Sequence, residues 1–233
     1  MKSLPEKMAC KKGLDFFGAV TASLSHEINN VLAIINELSG LMDDHICAAG
    51  QGRPLDPAKL KNTVERIAKQ VDRGKNYVLR LNRFAHCVDQ PTKALDARDI
   101  LEQITTICQR FATLKKVQLQ SIVGQQPVEI VGSPFDLEHV IYRCTEIALG
   151  VSAVDSMVVA KLEKTGTGAR IILTARDPGQ VNQEVSAKLS LVSRLVERLG
   201  GTFESVTDPG AEMRLVVDLP RSMLNGQGSE SDV

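Results

Sequence analysis

The sequence predicts a chain in two parts, α followed by α/β. The first is a helical hairpin whose apolar faces suit a four-helix bundle built from two copies; the second is an α+β sandwich. Three observations carry this. Apolar residues from 24 to 88 recur at heptad spacing. Glycine and proline cluster once inside that stretch, at Ala49-Gly50-Gln51-Gly52-Arg53-Pro54. Beyond Pro91 the pattern changes to short alternating runs set between longer helical ones. A chain of 233 residues accommodates two small domains.

The hairpin is expected over 14–90. Leu24, Ile28, Val31, Ile35, Leu38 and Met42 are spaced 4, 3, 4, 3, 4 along its first helix. Leu32, Ile34 and Leu41 flank that seam, so the stripe is wider than a two-stranded coiled coil requires. Asp56-Pro57 reads as an N-cap followed by proline at the first helical position. Leu60, Val64, Ile67, Val71, Gly74, Val78, Leu81, Ala85 and Val88 continue the spacing along the second helix, and Pro91 stops it. Two helices with such wide apolar faces do not satisfy one another alone, so the pattern predicts a homodimer.

The sandwich is expected over 95–220. Ile100 to Lys116, Phe135 to Leu149 and Val185 to Leu199 read as helices, the last closed by Gly200-Gly201. Strands are expected at Val117 to Val123, Val128 to Val131, Met157 to Leu162, Ala169 to Ala175, Thr202 to Val206 and Met213 to Leu219. This order places helices on one face of a mixed sheet. Residues 221–233, rich in Gly, Ser and Asn, read as a disordered tail.

Composition narrows the function. Lys plus Arg and Asp plus Glu are 28 each, so the chain has no bulk positive charge with which to bind nucleic acid. Aromatic residues are 3% with no Trp, which leaves little for stacking on single-stranded bases and requires an aliphatic core. No apolar run approaches the roughly 18 residues of a membrane span. The first residues carry charges without an apolar block behind them, so neither signal peptide nor membrane association is expected. Cysteines 10, 47, 87, 108 and 144 are odd in number and lack CxxC spacing. That fits reduced, mostly buried thiols and a cytoplasmic location.

One stretch carries chemistry. In Ser25-His26-Glu27-Ile28-Asn29-Asn30, the seam residues Leu24 and Ile28 turn His26 to the outer face, with Asn30 one turn on. A solvent-facing imidazole beside a carboxylate can act as nucleophile, base or ligand. The zinc-protease pattern HExxH fails at its second histidine, where this chain has Asn30. His45, His86 and His139 stand alone and read as surface or core histidines. Arg66, Lys69, Arg73 and Lys75 read as a solvated face.

The stretch Phe17 to Ile35, centred on Ser25-His26-Glu27-Ile28-Asn29-Asn30, resembles the phosphoacceptor box of sensor histidine kinases. Val31 departs from it, standing where that family usually has proline; the helix should therefore run straighter past the histidine. The resemblance extends over Leu14 to Pro220. It implies that His26 is the phosphorylated residue, that Glu27 orients or deprotonates its ring, and that Asn30 positions a phosphoryl group or water. It also implies that the second part is related to the family's ATP-binding domain, in degenerate form. Ser133 to Ala148 is similar to the helix bearing that family's two asparagines, but those positions are Arg143 and Ile147, and Ile147 has no oxygen for Mg²⁺. Asp177-Pro178-Gly179-Gln180-Val181 resembles the first glycine box, with Val181 replacing its last glycine. The positions of the second box are Glu184, Ser186 and Lys188, and an anionic Glu184 repels phosphates. Only eight residues separate Asp177 from Ser186, too few for a nucleotide lid.

These departures imply a chain that binds no cofactor of its own and does not use ATP. Two functions compete. In the first, the chain is a histidine phosphotransferase, with His26 exchanging a phosphoryl group with the aspartates of response-regulator receiver domains that supply Mg²⁺. In the second, it is a non-enzymatic regulator of a kinase or regulator. A phosphatase using Glu27 and Asn30 lies between them, and a divergent active kinase remains a further alternative.

Overall fold

The computed structural model describes residues 4–176, 178, 182–208 and 211–223, with side chains from residue 11 onward. They fall into two units that divide between Ala85 and His86.

The first unit is the hairpin. Helix α1 spans Leu4–Gly50 and α2 spans Pro57–Ala85. Thus α1 starts ten residues before the predicted Leu14, and it passes Val31 without a break. Valine keeps the backbone N–H that proline would remove, so nothing interrupts the ladder there. Gly52, at φ +87°, reverses the chain, a conformation that glycine adopts without strain. Asp56 Oδ1 then accepts from the backbone N–H groups of Ala58 at 2.9 Å and Lys59 at 3.3 Å, capping α2 as its sequence indicates.

On α1 the predicted seam is the packed face: Leu24, Val31 and Leu38 are buried, with Ile28, Ile35 and Met42 half-buried between them. On α2 the seam is corrected. Leu60, Ile67, Gly74 and Leu81 face inward, but their companions are Thr63, Gln70, Tyr77 and Phe84. The predicted companions Val64, Val71 and Val78 remain 51%, 40% and 44% exposed. The two sets sit one residue apart and flank the shared row on opposite sides, so α2 has two apolar-capable faces and α1 covers one. Phe84 packs edge-on against Phe16 at 5.4 Å and stacks on Phe17 at 5.1 Å. Three of the chain's six phenylalanines therefore lie in this one cluster.

The second unit follows the predicted order with one addition. A single 3₁₀ turn at His86–Val88 leads to strand β1, Lys93–Asp96. Then come α3 (Ala97–Leu114), β2 (Gln118–Ile122), β3 (Glu129–Gly132), α4 (Pro134–Val151), β4 (Met157–Lys164), β5 (Gly168–Arg176), α5 (Gln183–Arg198), β6 (Thr202–Asp208) and β7 (Glu212–Pro220). Strands β2, β4, β5, β7 and β6, in that order, form a five-stranded sheet, parallel between β2 and β4 and antiparallel elsewhere. The unpredicted β1 pairs with β3 in a separate two-stranded sheet. Val158, Ala160 and Leu162 lie opposite Ala175, Leu173 and Ile171, which lie opposite Met213, Leu215 and Val217. All nine are buried. They form one continuous aliphatic face, and each large side chain in it contributes about 1.5–3 kcal/mol.

Residues 221–223 correct the predicted tail. The N–H of Val131 donates to Arg221 O at 2.7 Å and that of Met223 to Val131 O at 2.7 Å, laying this segment beside β3 with Met223 buried. The rest of that tail lies outside the described residues. Cys87, Cys108 and Cys144 are buried thiols, as expected, and burial pushes Cys144 up to about 12; Cys47 is exposed. No described helix is long and apolar enough to cross a membrane.

Asp96 joins β1, α3 and the start of β3. Its Oδ1 accepts from the N–H groups of Arg98 at 3.0 Å and Val128 at 3.1 Å, and its Oδ2 pairs with the Arg98 guanidinium at 2.6 Å. The bonds from Arg98 hold the carboxyl below the usual carboxylate range. A carboxyl depressed on folding stabilises fully above its unfolded value and loses that contribution as pH falls through the folded one. Asp96→Ala should cost about 2 kcal/mol in urea unfolding at neutral pH, and the gap from wild type should close as the medium is acidified.

Candidate phosphoacceptor site and the charged rim of α4 and α5

The first candidate site lies midway along α1. His26 is exposed, as its heptad position requires. Its Nδ1 stands 3.1 Å from Nδ2 of Asn30, one turn further on. The structure thus brings His26 and Asn30 together. Glu27 turns toward α2. Its Oε2 accepts from Nη2 of Arg73 at 3.2 Å and from the hydroxyl of Tyr77 at 3.1 Å. Arg73 also donates to the Tyr77 oxygen from Nη2 at 3.2 Å and covers the ring, with the guanidinium carbon 5.5 Å from its centroid. The Glu27 side chain is 17% exposed and that of Arg73 49%.

Arg73 and Tyr77 are the residues that the sequence reading missed. Arg73 reads as one cation of a solvated row, and Tyr77 lies one position from the valine that fits an apolar seam. Its signal is the spacing: Gln70, Tyr77 and Phe84 recur every seven residues.

Gly74 explains how the helices meet here. A Cβ at residue 74 would lie 3.2 Å from Val31 Cγ1, so any other residue would press on Val31. The bare backbone sets α2 close to α1 one residue beyond Arg73, within reach of Glu27.

The second candidate site lies on α4 and the start of α5. Arg143 and Ile147 occupy the two asparagine-like positions. Ile147 is buried in the aliphatic core. Arg143 donates from Nε to Nε2 of buried His139 at 3.1 Å and from Nη1 to Glu146 Oε2 at 2.9 Å. His139 is therefore a satisfied core histidine. Lys188 on α5 reaches Glu146 at 3.3 Å and Glu184 at 2.9 Å. Arg143, Glu146, Lys188 and Glu184 thus form a continuous chain of charges from α4 to α5. The bond to Glu184 and the charge of Glu146 hold the Lys188 ammonium above its ordinary value, and Lys188 draws Glu184 below its own.

Six residues, 177–182, join β5 to α5. Asp177, Gly179 and Val181 of the glycine-box resemblance lie outside the described residues. Asn182 caps α5, its Oδ1 accepting from the N–H of Val185 at 2.9 Å. At these positions Ile147 offers no oxygen, and Arg143 and Lys188 are bound to carboxylates. Among the described residues no cluster of His, Cys, Asp and Glu is arranged to hold a metal.

No protein-family profile matches the chain. In sequence it is 23% identical over 243 residues to the sensor histidine kinase ZraS of Klebsiella oxytoca, across 97% of this chain and 50% of that protein. The chain therefore spans about half the length of this curated relative. In structure, the catalytic domain of the histidine kinase ThkA superposes with a TM-score of 0.50 at 8% identity, over 57% of this chain and 99% of that domain. The Acinetobacter baumannii histidine kinase AdeS aligns with a TM-score of 0.48 at 13% identity, over 79% of this chain and 95% of that one. In the similarity of its sequence, and in the fold of its α/β unit, this chain is histidine kinase-like.

Proposed function

We propose that the chain is a histidine phosphotransferase of a two-component phosphorelay, moving a phosphoryl group between His26 and the aspartates of response-regulator receiver domains without using ATP. The observation that carries this reading is the ion-pair chain Arg143–Glu146–Lys188–Glu184. Arg143 in it stands at one asparagine position of the resemblance, and Glu184 and Lys188 at positions of its second glycine box; Ile147 stands where a Mg²⁺ ligand is expected, and His26 remains exposed with Nδ1 engaged by Asn30. Loss of the nucleotide positions with retention of an accessible imidazole suits a relay that receives its phosphoryl group from another protein.

Nδ1 is engaged by Asn30, and Nε2, the ring nitrogen left open to a partner, is the nucleophile once the ring proton sits on Nδ1. Its lone pair attacks the phosphorus of a receiver's aspartyl phosphate. The N–P bond forms, the P–O bond breaks, and the carboxylate leaves with the electron pair. The receiver brings the Mg²⁺ that neutralises the phosphoryl oxygens, and this chain contributes position. Delivery is the reverse step onto a second receiver.

The unit that acts is a homodimer. Val64, Val71 and Val78 form an exposed row on α2, and Leu32, Leu41 and Ile46 are exposed on α1. A helix that serves two neighbours is what a four-helix bundle requires of each member. The double variant Val71→Asp with Val78→Asp should weaken dimerisation about a hundredfold by sedimentation while retaining helical circular dichroism.

With γ-labelled ATP and Mg²⁺ the folded protein should take up no label, whereas a labelled phospho-receiver should transfer label to the wild type and not to His26→Ala. Label from ATP on the wild type but not on His26→Ala would instead establish the kinase alternative. Undiminished cellular output from His26→Ala would establish the non-enzymatic regulator.

A further inference from the structure

The hairpin has two unlike sides. On one flank of the inward row of α2 stand Val64, Val71 and Val78. On the other flank stand Lys59, Arg66, Arg73 and Arg80, each seven residues from the next, with Lys69 and Arg83 three residues past two of them. That spacing puts all six cations on one stripe, about 36 Å long at the rise of an α-helix. Five of the residues are exposed and Arg80 is half-buried. A face that is merely solvated mixes its signs along a helix. This stripe holds no acid: the carboxylates of α2, Glu65 and Asp72, fall outside it, and Asp72 is bonded to Lys75 at 3.5 Å.

The stripe runs beside the phosphoacceptor. Arg73 reaches Glu27 Oε2 at 3.2 Å, so the cationic flank of α2 lies on the side of α1 to which Glu27 turns. Asn30, three residues past Glu27, stands on that side as well, and its amide meets His26 Nδ1 at 3.1 Å. Glu27 is the carboxylate next to the acceptor in sequence, and Arg73 neutralises it. Glu37 follows on the same side about three turns further along α1, and the six cations outnumber these two acids.

We infer that this stripe is a docking surface for an acidic protein face, and that the partner it fits is a receiver domain approaching with its phosphorylation site toward His26. This rests on the reading of His26 as phosphoryl acceptor and adds what recognises the donor. An aspartyl phosphate that keeps its Mg²⁺ holds it through further carboxylates and the phosphoryl oxygens. The surface around such a site is anionic, and transfer requires it within bonding distance of Nε2. Cations laid along one edge of the contact attract that surface from a distance, fix its orientation and reject a partner of the wrong sign. A nucleic acid is the other large anion a cationic stripe could meet. Zero net charge and 3% aromatic residues weigh against it.

The test uses the full chain and, as probes, purified receiver domains of the response regulators encoded in the same genome. Lys59→Gln with Arg66→Gln and Lys69→Gln removes half of the stripe and leaves His26, Glu27, Asn30 and Arg73 in place. Wild type should bind a receiver in fluorescence anisotropy, with an affinity that falls at least about tenfold between about 50 and about 300 mM NaCl. The triple variant should bind about ten- to a hundredfold more weakly at low salt and approach wild type at high salt, and the corresponding triple glutamate variant should bind more weakly still. Label transfer from the phospho-receiver should lose the same factor in kcat/KM and little in kcat. Loading by phosphoramidate, in which Nε2 attacks phosphorus and ammonia leaves with the electron pair of the P–N bond, needs no docking and should match wild type. Helical circular dichroism and sedimentation should be unchanged. Receiver binding that is insensitive to salt, or equal in variant and wild type, overturns the inference. So does failure of every receiver to bind, or a stripe that binds labelled duplex DNA in their place. Slower loading by phosphoramidate in the triple variant also overturns it, because the stripe would then act on the imidazole itself. Stripe-dependent binding of receivers that never label His26 would uphold the docking surface and overturn the phosphotransfer reading.

Discussion

Gly74 presents no side chain where α2 passes Val31, and the helices approach until a Cβ there would sit 3.2 Å from Val31 Cγ1. That contact places Arg73 and Tyr77 opposite Glu27, and it holds the turn of α1 bearing His26 against a fixed stretch of α2. An isolated ion pair with one half-exposed partner is worth little by itself. Here it works with a tyrosine hydroxyl, a guanidinium lying over that ring and a steric fit, and their value lies in specificity of register. Sliding α2 by one heptad along α1 would bring a different inward residue opposite Glu27 and move the site's supports away from it.

The α/β unit keeps its fold for reasons independent of nucleotide. Its stability resides in the aliphatic face of β4, β5 and β7 and in the helices above it. Residues at the rim of α4 and α5 can change without disturbing that core. The rim here is a ladder of alternating charge, in which Glu146 is shared by Arg143 and Lys188. Paired charges at half-buried positions avoid the desolvation cost that any one of them would suffer alone. The same ladder ties α5 to α4.

Most of this was legible in the sequence, because period and punctuation act locally. Asp56-Pro57 and Gly200-Gly201 mark helix ends by capping chemistry, and both do so in the structure. The alternation in 169–175 and 213–219 reports a sheet with one covered face. What escaped reading was decided by tertiary context. Strand β1 has four residues with only Leu95 buried among them, too little for a period. On α2 the valines gave the more apolar seam, but α1 took the row holding Thr63, Gln70, Tyr77 and Phe84. Hydrophobicity identifies which faces must be covered, and it does not say which neighbour covers each. For the site, position 26 was legible from the heptad phase. The division of labour between Glu27 and Asn30 was not, because the direction of a side chain depends on what the second helix presents.

The 47 residues of α1 form one helix of about 70 Å whose single proline, Pro5, stands at its second position. A kinked rod converts a push at one end into a swing of the other. A straight one transmits torque. Rotation applied anywhere along α1 turns the His26 ring around the helix axis, and the cross-hairpin contacts at Glu27 resist that rotation like a detent. Turning the imidazole about that axis therefore requires the bonds from Arg73 and Tyr77 to Glu27 to break.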